Sequence, residues 1–162
     1  MSKIKKRLLF VCLGNICRSP AAEAVMKKLV ADAGLADSYY IDSAGIGAWH
    51  VGQLPDSRMR SRGSLRGYRI DSRARQIEQA DFSRFDRILV MDGDNLRTVR
   101  RLAPTDGARS KVEMLAGYCT AHRDTATIPD PYYGSEADFD YALDLVEDAC
   151  RGLLRAIRPT EG

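Results

Sequence analysis

The turn that decides the fold lies within residues 10–20, whose sequence is FVCLGNICRSP. An apolar run over residues 8–11 leads into it, and the Ser-Pro pair at its end suits the first turn of a helix. A strand, a glycine-containing turn and a helix start in this order are typical of the first unit of a parallel α/β protein. The turn also carries two cysteines and an arginine, which a purely structural connection does not require.

Strand and helix patterns alternate along the rest of the chain. Short apolar runs predict buried strands over residues 8–13, 39–44, 88–91 and 111–115. Helical periodicity and capping residues predict helices over residues 20–33 and 56–66, from 92 or 94 to about 102, and from 135 onward. The sequence therefore predicts one α/β domain over residues 1–162, with a central four-stranded parallel sheet and helices on both faces.

Composition excludes several broad classes of protein. The 162 residues are 44% hydrophobic and 29% charged, which is ordinary for one globular domain, and a net charge of +3 is too small for bulk nucleic-acid binding. No apolar run approaches the ~20 residues of a membrane span, and polar residues interrupt the N-terminal run, so we expect neither a membrane anchor nor a secretory signal. A cytoplasmic location with reduced cysteines is the expectation.

Charge is unevenly distributed along the chain. Seven arginines fall between residues 58 and 75, whereas the C-terminal third is acidic. Two interpretations of the arginines are open: a basic patch that faces an anionic substrate, or a solvated helix face.

The turn over residues 12–19 predicts an oxyanion site. A glycine-containing turn directs several backbone N–H groups into one concavity, and the helix N-terminus adds partial positive charge. Arg18 adds a planar fork that fits two phosphate oxygens. Such a field favours the thiolate form of a cysteine, so we expect Cys12 to attack phosphorus and form a phosphocysteine intermediate, with Ser19 donating a hydrogen bond to the sulfur. The alternative is that Cys12 is a core residue that ends a buried strand.

Polar residues mark the ends of three predicted strands: Cys12, Ser43 and Asp92. Ligands of parallel sheets bind beyond the carboxyl ends of the strands, so these residues are expected to converge on one site. For Asp92 two roles are open, as part of the shell that supports the turn or as a helix cap.

Residues 128–134, IPDPYYG, supply a candidate general acid. Thiolate attack on a phosphate monoester expels an oxyanion that needs a proton, and a positioned acid contributes ~10²–10⁴-fold in rate. Asp130 lies between two prolines that stiffen its loop, and two tyrosines follow. An aspartate in such a loop is otherwise most often a turn former. The single tryptophan, Trp49, lies in the glycine-bounded stretch GIGAWHVG, where an indole favours contact with a ligand.

At these residues the chain resembles the low molecular weight protein tyrosine phosphatases. The motif Val-Cys-x-Gly-Asn-x-Cys-Arg-Ser-Pro is similar to the signature loop of that family, and the similarity continues through DSAG, ARQ, FDRILVMD and DPYYG over nearly the whole chain. The resemblance implies a Rossmann-like phosphatase I fold and hydrolysis of phosphotyrosine and aryl phosphates without a metal or other cofactor. It implies a phosphotyrosine-containing protein as partner, with a bacterial tyrosine kinase as one candidate, and inorganic phosphate as product and inhibitor. A monomer or weak dimer without nucleic-acid or membrane partners is expected.

The resemblance also assigns roles to individual residues. It makes Cys12 the nucleophile, Arg18 the phosphate clamp, and Asp130 the general acid and then the general base. Asn15 is implied to hold the loop in shape, with Ser19 and Ser43 as polar supports. The implied substrate-binding set is Leu13, Gly14, Asn15, Ile16, Cys17, Ser19, Trp49, Tyr132 and Tyr133, with the aromatic residues forming a slot over an apolar floor.

Two positions need separate expectations. Ser72 lies at or near the place where eukaryotic members carry a histidine that supports the asparagine network. A serine is shorter and cannot carry charge, so we expect the network at Ser72 to be weakened or rebuilt with water. The resemblance also implies that Cys17 closes a disulfide onto oxidised Cys12 and protects it from irreversible oxidation.

Two other functions are open at this point. A thioredoxin-coupled arsenate reductase shares this fold and loop, but its chemistry needs a further cysteine relay, and residues 70–100 contain no cysteine. A non-catalytic, phosphate-dependent binding module would explain the arginines, but it would have no use for Cys12 together with Asp130.

Overall fold

Four parallel strands form the sheet in the computed structural model, which describes residues 5–158. The strands are β1 (Lys6–Cys12), β2 (Tyr39–Gly45), β3 (Arg87–Val90) and β4 (Val112–Met114), and they pair in the order β2-β1-β3-β4. The helices are α1 (Arg18–Asp32), α2 (Ser57–Leu65), α3 (Asp81–Arg84), α4 (Gly93–Leu102), α5 (Asp106–Arg109) and α6 (Glu136–Ile157). The predicted fold class is confirmed.

Helices cover both faces of the sheet, and each face has its own apolar core. Successive strand residues point to opposite faces, so Leu8 and Phe10 of β1 pack in one core with α1 and α6. Leu9 and Val11 pack in the other core, which includes residues of α3 and α4. Both sides of β1 are thereby buried, which explains its uninterrupted apolar sequence.

The strand order reverses beside β1. From β1 the chain first moves outward to β2 and then returns to the other side of β1 to form β3. In open α/β sheets the crevice at such a reversal is where ligands bind. The crevice here lies between the carboxyl ends of β1 and β3, where Cys12 and Asp92 are located.

Predicted helix bounds differ from the structure by a few residues. Helix α1 begins at Arg18 rather than at Pro20, so the proline is its third residue. This position is tolerated because the first N–H groups of a helix have no partner within the helix. Gly34 follows the helix with φ of +73°, which agrees with its expected role in ending the helix.

Two arginines of the cluster have a structural role that neither open interpretation described. The Arg62 guanidinium donates to both carboxylate oxygens of Asp140 at 3.0 and 2.8 Å, and Arg66 donates to Asp144 at 2.9 Å. These contacts attach α2 to the acidic side of α6. Part of the cluster is thus neither a free basic patch nor a solvated face, because it pairs with the acidic helix of the C-terminal third.

Asp148 of α6 holds the loop of residues 119–124. The residue is 2% exposed. It accepts hydrogen bonds from the backbone N–H groups of Thr120, Ala121 and His122, the Thr120 hydroxyl and His122 Nδ1. Burial disfavours its charge, but the hydrogen bonds from the His122 side chain and the three N–H groups outweigh burial and hold the pKa of Asp148 well below its usual range.

Asp148→Asn is expected to reduce the free energy of unfolding at pH 7 by about 2–4 kcal/mol, since an amide replaces a charged acceptor of several donors. The folded-state pKa lies below the unfolded value of ~3.9, so this stabilisation is complete above the unfolded pKa and is lost as the pH falls through the folded pKa. Urea unfolding should therefore show a gap between wild type and variant that narrows from pH 5 to pH 2. Asp32→Asn, at an exposed ion pair with Lys28, is the control and should cost less than ~0.5 kcal/mol. A gap that does not depend on pH would contradict this account.

Candidate active site

A cavity of about 280 Å³ opens at the crevice between β1 and β3. Three distant segments of the chain form it: the turn after β1, residues 49–50 and residues 130–133. It is lined by Cys12, Leu13, Gly14, Ile16, Cys17, Arg18, Trp49, His50, Asp130, Tyr132 and Tyr133. The structure thus places the candidate nucleophile, phosphate clamp, general acid and aromatic residues around one space.

The turn of residues 12–18 has a backbone shape that depends on Asn15. This residue has φ of +58°, a left-handed conformation that asparagine adopts more readily than most side chains. Gly45, at the end of β2, lies against it, since a Cβ on this glycine would be 3.0 Å from the Gly14 carbonyl carbon and 3.1 Å from Asn15 Cβ. Glycine at position 45 therefore allows the turn and the end of β2 to approach closely.

A chain of buried hydrogen bonds runs from α1 to the sulfur of Cys12. Ser43 Oγ donates to Glu23 Oε1 at 2.6 Å, and Asn15 Nδ2 donates to Ser43 Oγ at 3.0 Å. Asn15 Nδ2 also donates to Ser19 Oγ at 2.7 Å, and Ser19 Oγ lies 3.0 Å from Cys12 Sγ. All five side chains are nearly inaccessible to solvent.

The carboxylate of Glu23 fixes the direction of the first three hydrogen bonds in this chain. An ionised carboxylate only accepts, so the Ser43 hydroxyl must donate to Glu23 and can then only accept from Asn15. The Asn15 amide is oriented accordingly, and Ser19 Oγ receives its N–H. The Ser19 hydroxyl can then donate to Cys12 Sγ at 3.0 Å or to the Ala44 carbonyl at 3.5 Å. Donation to the sulfur, the shorter contact, would stabilise negative charge there.

Glu23 was missed in the sequence, and it takes the place expected for Ser72. The carboxylate is paired with Lys27 Nζ at 2.6 Å. Ser72 lies half-buried beside both residues in the lining of a separate cavity, and it makes no hydrogen bond to Asn15 within residues 5–158. A serine hydroxyl extends only one bond beyond Cβ, so the longer glutamate completes the network. Glu23 follows Ser19 by one helical turn on the same face of α1, and this spacing is the feature of the sequence that could have indicated its role.

The ARQ motif supports the turn from the other side. The backbone N–H of Arg75 donates to Asn15 Oδ1 at 3.0 Å, which completes the hydrogen bonds of that amide. The Arg75 guanidinium pairs with Asp42 and with the fully buried Asp81, each at 3.0 Å. These ion pairs fix the segment that presents the N–H group to the turn.

Arg18 is buried, with 2% of its side chain exposed. Its Nη1 donates to Asp92 Oδ2 at 2.8 Å and to the Ile128 carbonyl at 2.9 Å, and its Nη2 lies 3.6 Å from Asp130 Oδ2. Asp92 has both roles left open by the sequence, because its Oδ1 accepts from the Asn95 N–H and caps α4. Asp92 and the Ile128 carbonyl thus hold Nη1 of the guanidinium, while Arg18 also lines the cavity.

Asp130 stands at the rim of the cavity, with 42% of its side chain exposed. Its Oδ1 accepts from the Tyr132 N–H at 3.1 Å. The carboxyl group is therefore accessible to a ligand, and it lies beside the guanidinium that is expected to bind phosphate. This geometry suits a group that transfers a proton to or from a bound phosphate ester.

Aromatic side chains form the mouth of the cavity. Tyr132 and Tyr133 meet edge to face with ring centroids 4.9 Å apart, and Trp49 is 67% exposed. Gly47 makes room for the indole, because a Cβ there would lie 1.9 Å from the Trp49 ring. Leu13 is half exposed, whereas Ile16 is buried. Aromatic and aliphatic side chains around Cys12 and Arg18 are suited to a flat, apolar group that carries a phosphate.

The second cysteine of the turn differs in character from a free surface thiol. Burial raises the pKa of the Cys17 thiol, and the negative charges of Asp56 and Cys12 raise it further. Cys17 therefore remains a protonated thiol near neutral pH, in the same cavity as Cys12.

No helix among residues 5–158 combines the length and apolar character that crossing a bilayer requires. Within the same residues no cluster of three or more His, Cys, Asp or Glu side chains is arranged to hold a metal ion.

The fold and the cavity define a class, the α/β phosphatases with a Cys-x₅-Arg loop, and comparison with known proteins identifies the family. The family model described as low molecular weight phosphotyrosine protein phosphatase matches residues 7–161. A low molecular weight protein-tyrosine-phosphatase of Streptomyces coelicolor is 46% identical over 153 residues, 94% of this chain and 93% of the relative. The human low molecular weight phosphotyrosine protein phosphatase is 41% identical over 150 residues, 92% of this chain and 94% of the relative.

A solved structure agrees with these sequence comparisons. The crystal structure of a protein tyrosine phosphatase from Entamoeba histolytica has a TM-score of 0.91 and 46% identity, and the match covers 94% of this chain and 97% of that one. The chain belongs to the low molecular weight phosphotyrosine protein phosphatase family, and it is an enzyme of the protein-tyrosine-phosphatase class.

Proposed function

We propose that the protein hydrolyses phosphotyrosine in proteins in two steps, with Cys12 as nucleophile, Arg18 as phosphate clamp and Asp130 as general acid and base. The observation that carries the proposal is that these three side chains line one cavity, at the switch point of a parallel sheet. Each of the three has a contact that suits its role: a hydroxyl donor on the sulfur, a carboxylate behind the guanidinium and an accessible carboxyl group at the rim.

In the first step Cys12 Sγ attacks phosphorus, and the bond from phosphorus to the tyrosine oxygen breaks. Arg18 donates to two of the phosphate oxygens, where negative charge is concentrated in the transition state. Asp130 transfers its proton to the departing phenolate oxygen and becomes a carboxylate. The products of this step are dephosphorylated tyrosine and a phosphocysteine.

In the second step water attacks the phosphocysteine. The Asp130 carboxylate takes a proton from the water, a new phosphorus–oxygen bond forms, and the sulfur leaves as a thiolate. The Ser19 hydroxyl stabilises this leaving thiolate, because its oxygen lies 3.0 Å from the sulfur and a thiolate can only accept its hydrogen. Inorganic phosphate departs and is also expected to compete with substrate for the same donors.

The mouth of the cavity supports an aromatic phosphate as substrate. A phenyl ring between Trp49 and the two tyrosines would contact apolar surface while its phosphate reaches the floor of the cavity. A phosphoserine side chain is shorter and offers no ring to these contacts. In the cell the expected substrate is a cytoplasmic phosphotyrosine protein, with a bacterial tyrosine kinase as one candidate.

The positions of the remaining cysteines weigh against an arsenate reductase. Cys119 Sγ contacts the Leu145 carbonyl at 3.7 Å, and Cys150 Sγ contacts the Ala22 carbonyl at 3.9 Å within the core. Burial raises the pKa of Cys119 to about 11. A relay to thioredoxin needs a reactive thiol that exchanges with the cavity, and neither residue is placed for this chemistry.

The test is to supply wild-type protein with an aryl phosphate, a phosphotyrosine peptide and the matched phosphoserine peptide, all in EDTA. We expect turnover of the first two, little turnover of the third, and radiolabelled phosphate on Cys12 after rapid acid quench. A strict metal requirement or thioredoxin-dependent arsenate reduction without phosphatase activity would contradict the proposal. Tight phosphopeptide binding without turnover would indicate the binding module instead.

We further propose that Cys17 protects Cys12 from irreversible oxidation. Peroxide converts the Cys12 thiolate to a sulfenic acid, and Cys17 attacks that sulfur with loss of water to form a disulfide that thiols reduce. Peroxide-treated wild type should regain most activity with dithiothreitol, whereas Cys17→Ser should regain several-fold less. Cys119→Ser, at a cysteine outside this turn, is the control and should recover like wild type. Equal recovery of all three proteins would refute the protective role.

A further inference from the structure

The loop that carries Asp130 is held on both sides by arginines. Before Asp130, the Ile128 carbonyl accepts from Arg18 Nη1 at 2.9 Å. After Asp130, the Tyr132 carbonyl accepts from Arg58 Nη2 at 2.9 Å. Arg18 belongs to the phosphate-binding turn, whereas Arg58 lies in the first turn of α2, outside the set of residues that line the cavity.

Arg58 is itself oriented by a carboxylate and by two aromatic rings. Its Nε and Nη2 donate to the two carboxylate oxygens of Asp56 at 3.0 and 2.9 Å. The guanidinium carbon lies 4.6 Å from the Phe139 ring centroid and 5.6 Å from that of Tyr132. A fork bound at two oxygens and stacked on a ring has little freedom to turn, so the donor to the Tyr132 carbonyl is fixed in space.

Asp56 connects this arrangement to the phosphate-binding turn. Its backbone N–H donates to the Ile16 carbonyl at 2.8 Å, and its carboxylate also accepts from the Arg58 N–H and caps α2. The side-chain hydrogen bond from Arg58 outweighs burial and lowers the pKa of Asp56, so the carboxylate is ionised at neutral pH. A continuous set of contacts therefore runs from Ile16 through Asp56 and Arg58 to Tyr132.

Both polar groups of the Tyr132 backbone are used in this set. Its carbonyl accepts from Arg58, and its N–H donates to Asp130 Oδ1 at 3.1 Å. The place of the Asp130 carboxyl group therefore depends on a residue that Arg58 holds. We propose that Arg58, oriented by Asp56, is a positioning residue that sets the distance of the general acid from the leaving-group oxygen. This inference rests on the proposed function, since it assumes that Asp130 protonates the leaving group.

A positioning role for Arg58 predicts that the effect of its replacement depends on the leaving group. A displaced acid donates its proton poorly, which slows departure of a weakly acidic phenol but not of a phenol that leaves readily as an anion. Attack by Cys12 and binding by Arg18 involve neither Asp56 nor Arg58 directly. A loss confined to poor leaving groups therefore separates a misplaced acid from general damage to the fold.

Arg58→Lys retains the positive charge but removes the fork, so one ammonium cannot hold Asp56 and the Tyr132 carbonyl in the same geometry. We expect kcat/KM for phenyl phosphate to fall roughly 10–100-fold, and kcat/KM for dinitrophenyl phosphate to fall less than about 3-fold. Arg62→Lys is the matched control: it lies one turn later on α2 and pairs with Asp140 of α6. It should affect both esters equally and slightly. Should Arg58→Lys fold poorly, Asp56→Asn weakens the same fork and should show the same dependence on the leaving group.

A double variant completes the test. In an Asp130→Asn background the acid is already absent, so adding Arg58→Lys should lower phenyl phosphate turnover by less than about 2-fold. Equal losses on both esters, or additive losses in the double variant, would overturn the positioning role. The proposed function is tested separately by the wild type, because a wild type without hydrolysis of either ester, or an Asp130→Asn variant as active as wild type, would overturn that proposal instead.

Discussion

Cys12→Ser is expected to lower kcat for an aryl phosphate on the order of 10⁴-fold or more, because the reaction loses its nucleophile. A serine hydroxyl stays protonated at neutral pH, and the Ser19 donor that stabilises a thiolate gains nothing from a neutral oxygen. Binding of inorganic phosphate should change by only a few-fold, since Arg18 and the N–H groups of the turn remain. Steady-state kinetics and ligand titration measure the two effects separately.

The wild type provides the complementary measurement. Its Cys12 should react with iodoacetate near neutral pH, and inorganic phosphate or vanadate should suppress the reaction by occupying the cavity. Cys119→Ser, at a partly exposed cysteine outside the cavity, controls for alkylation elsewhere. Full activity of Cys12→Ser would refute the mechanism. Slow alkylation of Cys12 that phosphate does not suppress would show that this cysteine is not a reactive thiolate in an anion site.

Asp130→Asn is expected to lower kcat/KM for phenyl phosphate by ~10²–10⁴-fold, because the amide cannot protonate the leaving oxygen. The amide is nearly the same size as the carboxyl group and can still accept from the Tyr132 N–H, so the fold of the loop should persist. The phosphocysteine should also hydrolyse more slowly, since the same carboxylate is the proposed base for water.

The leaving-group dependence is again the informative measurement. For dinitrophenyl phosphate, Asp130→Asn should slow the first step much less than it does for phenyl phosphate. Rapid mixing measures the rate of that step as the burst of released phenolate. Asp37→Asn, at an exposed aspartate of the 3-10 turn before β2, controls for the removal of one negative charge. A loss that is the same for every ester would mean that Asp130 does not donate the proton.

The centre of the sheet could be predicted because β1 and β3 are short, mainly apolar runs buried on both faces. In β1, alternate residues enter two different cores, so the whole run is apolar, and a strand is its simplest interpretation. The short helices α3 and α5 were not predicted, because four residues are too few to establish a helical period. Thr105 caps α5, whereas α3 has no side-chain cap, and each helix places one residue in the core that contains residues of β3 and β4.

The parts of the site that could be predicted are those whose residues lie close together in the sequence. The turn from Cys12 to Ser19 is contiguous, so its chemistry can be inferred from residue order alone. Glu23 and Arg58 act through partners that are 20 and 74 residues away, namely Ser43 and Tyr132, and a single sequence gives no measure of such contacts. For the same reason the sequence did not reveal that arginines of α2 pair with α6.

The left-handed backbone of Asn15 has a thermodynamic consequence for ligand binding. The hydrogen bonds of its amide hold the turn in one shape, so an arriving oxyanion need not reorganise the main chain. The entropic penalty of ordering a flexible loop, which offsets affinity in many binding sites, should be small here. Even a ligand as small as phosphate, with few atoms to contact, is therefore expected to bind with useful affinity.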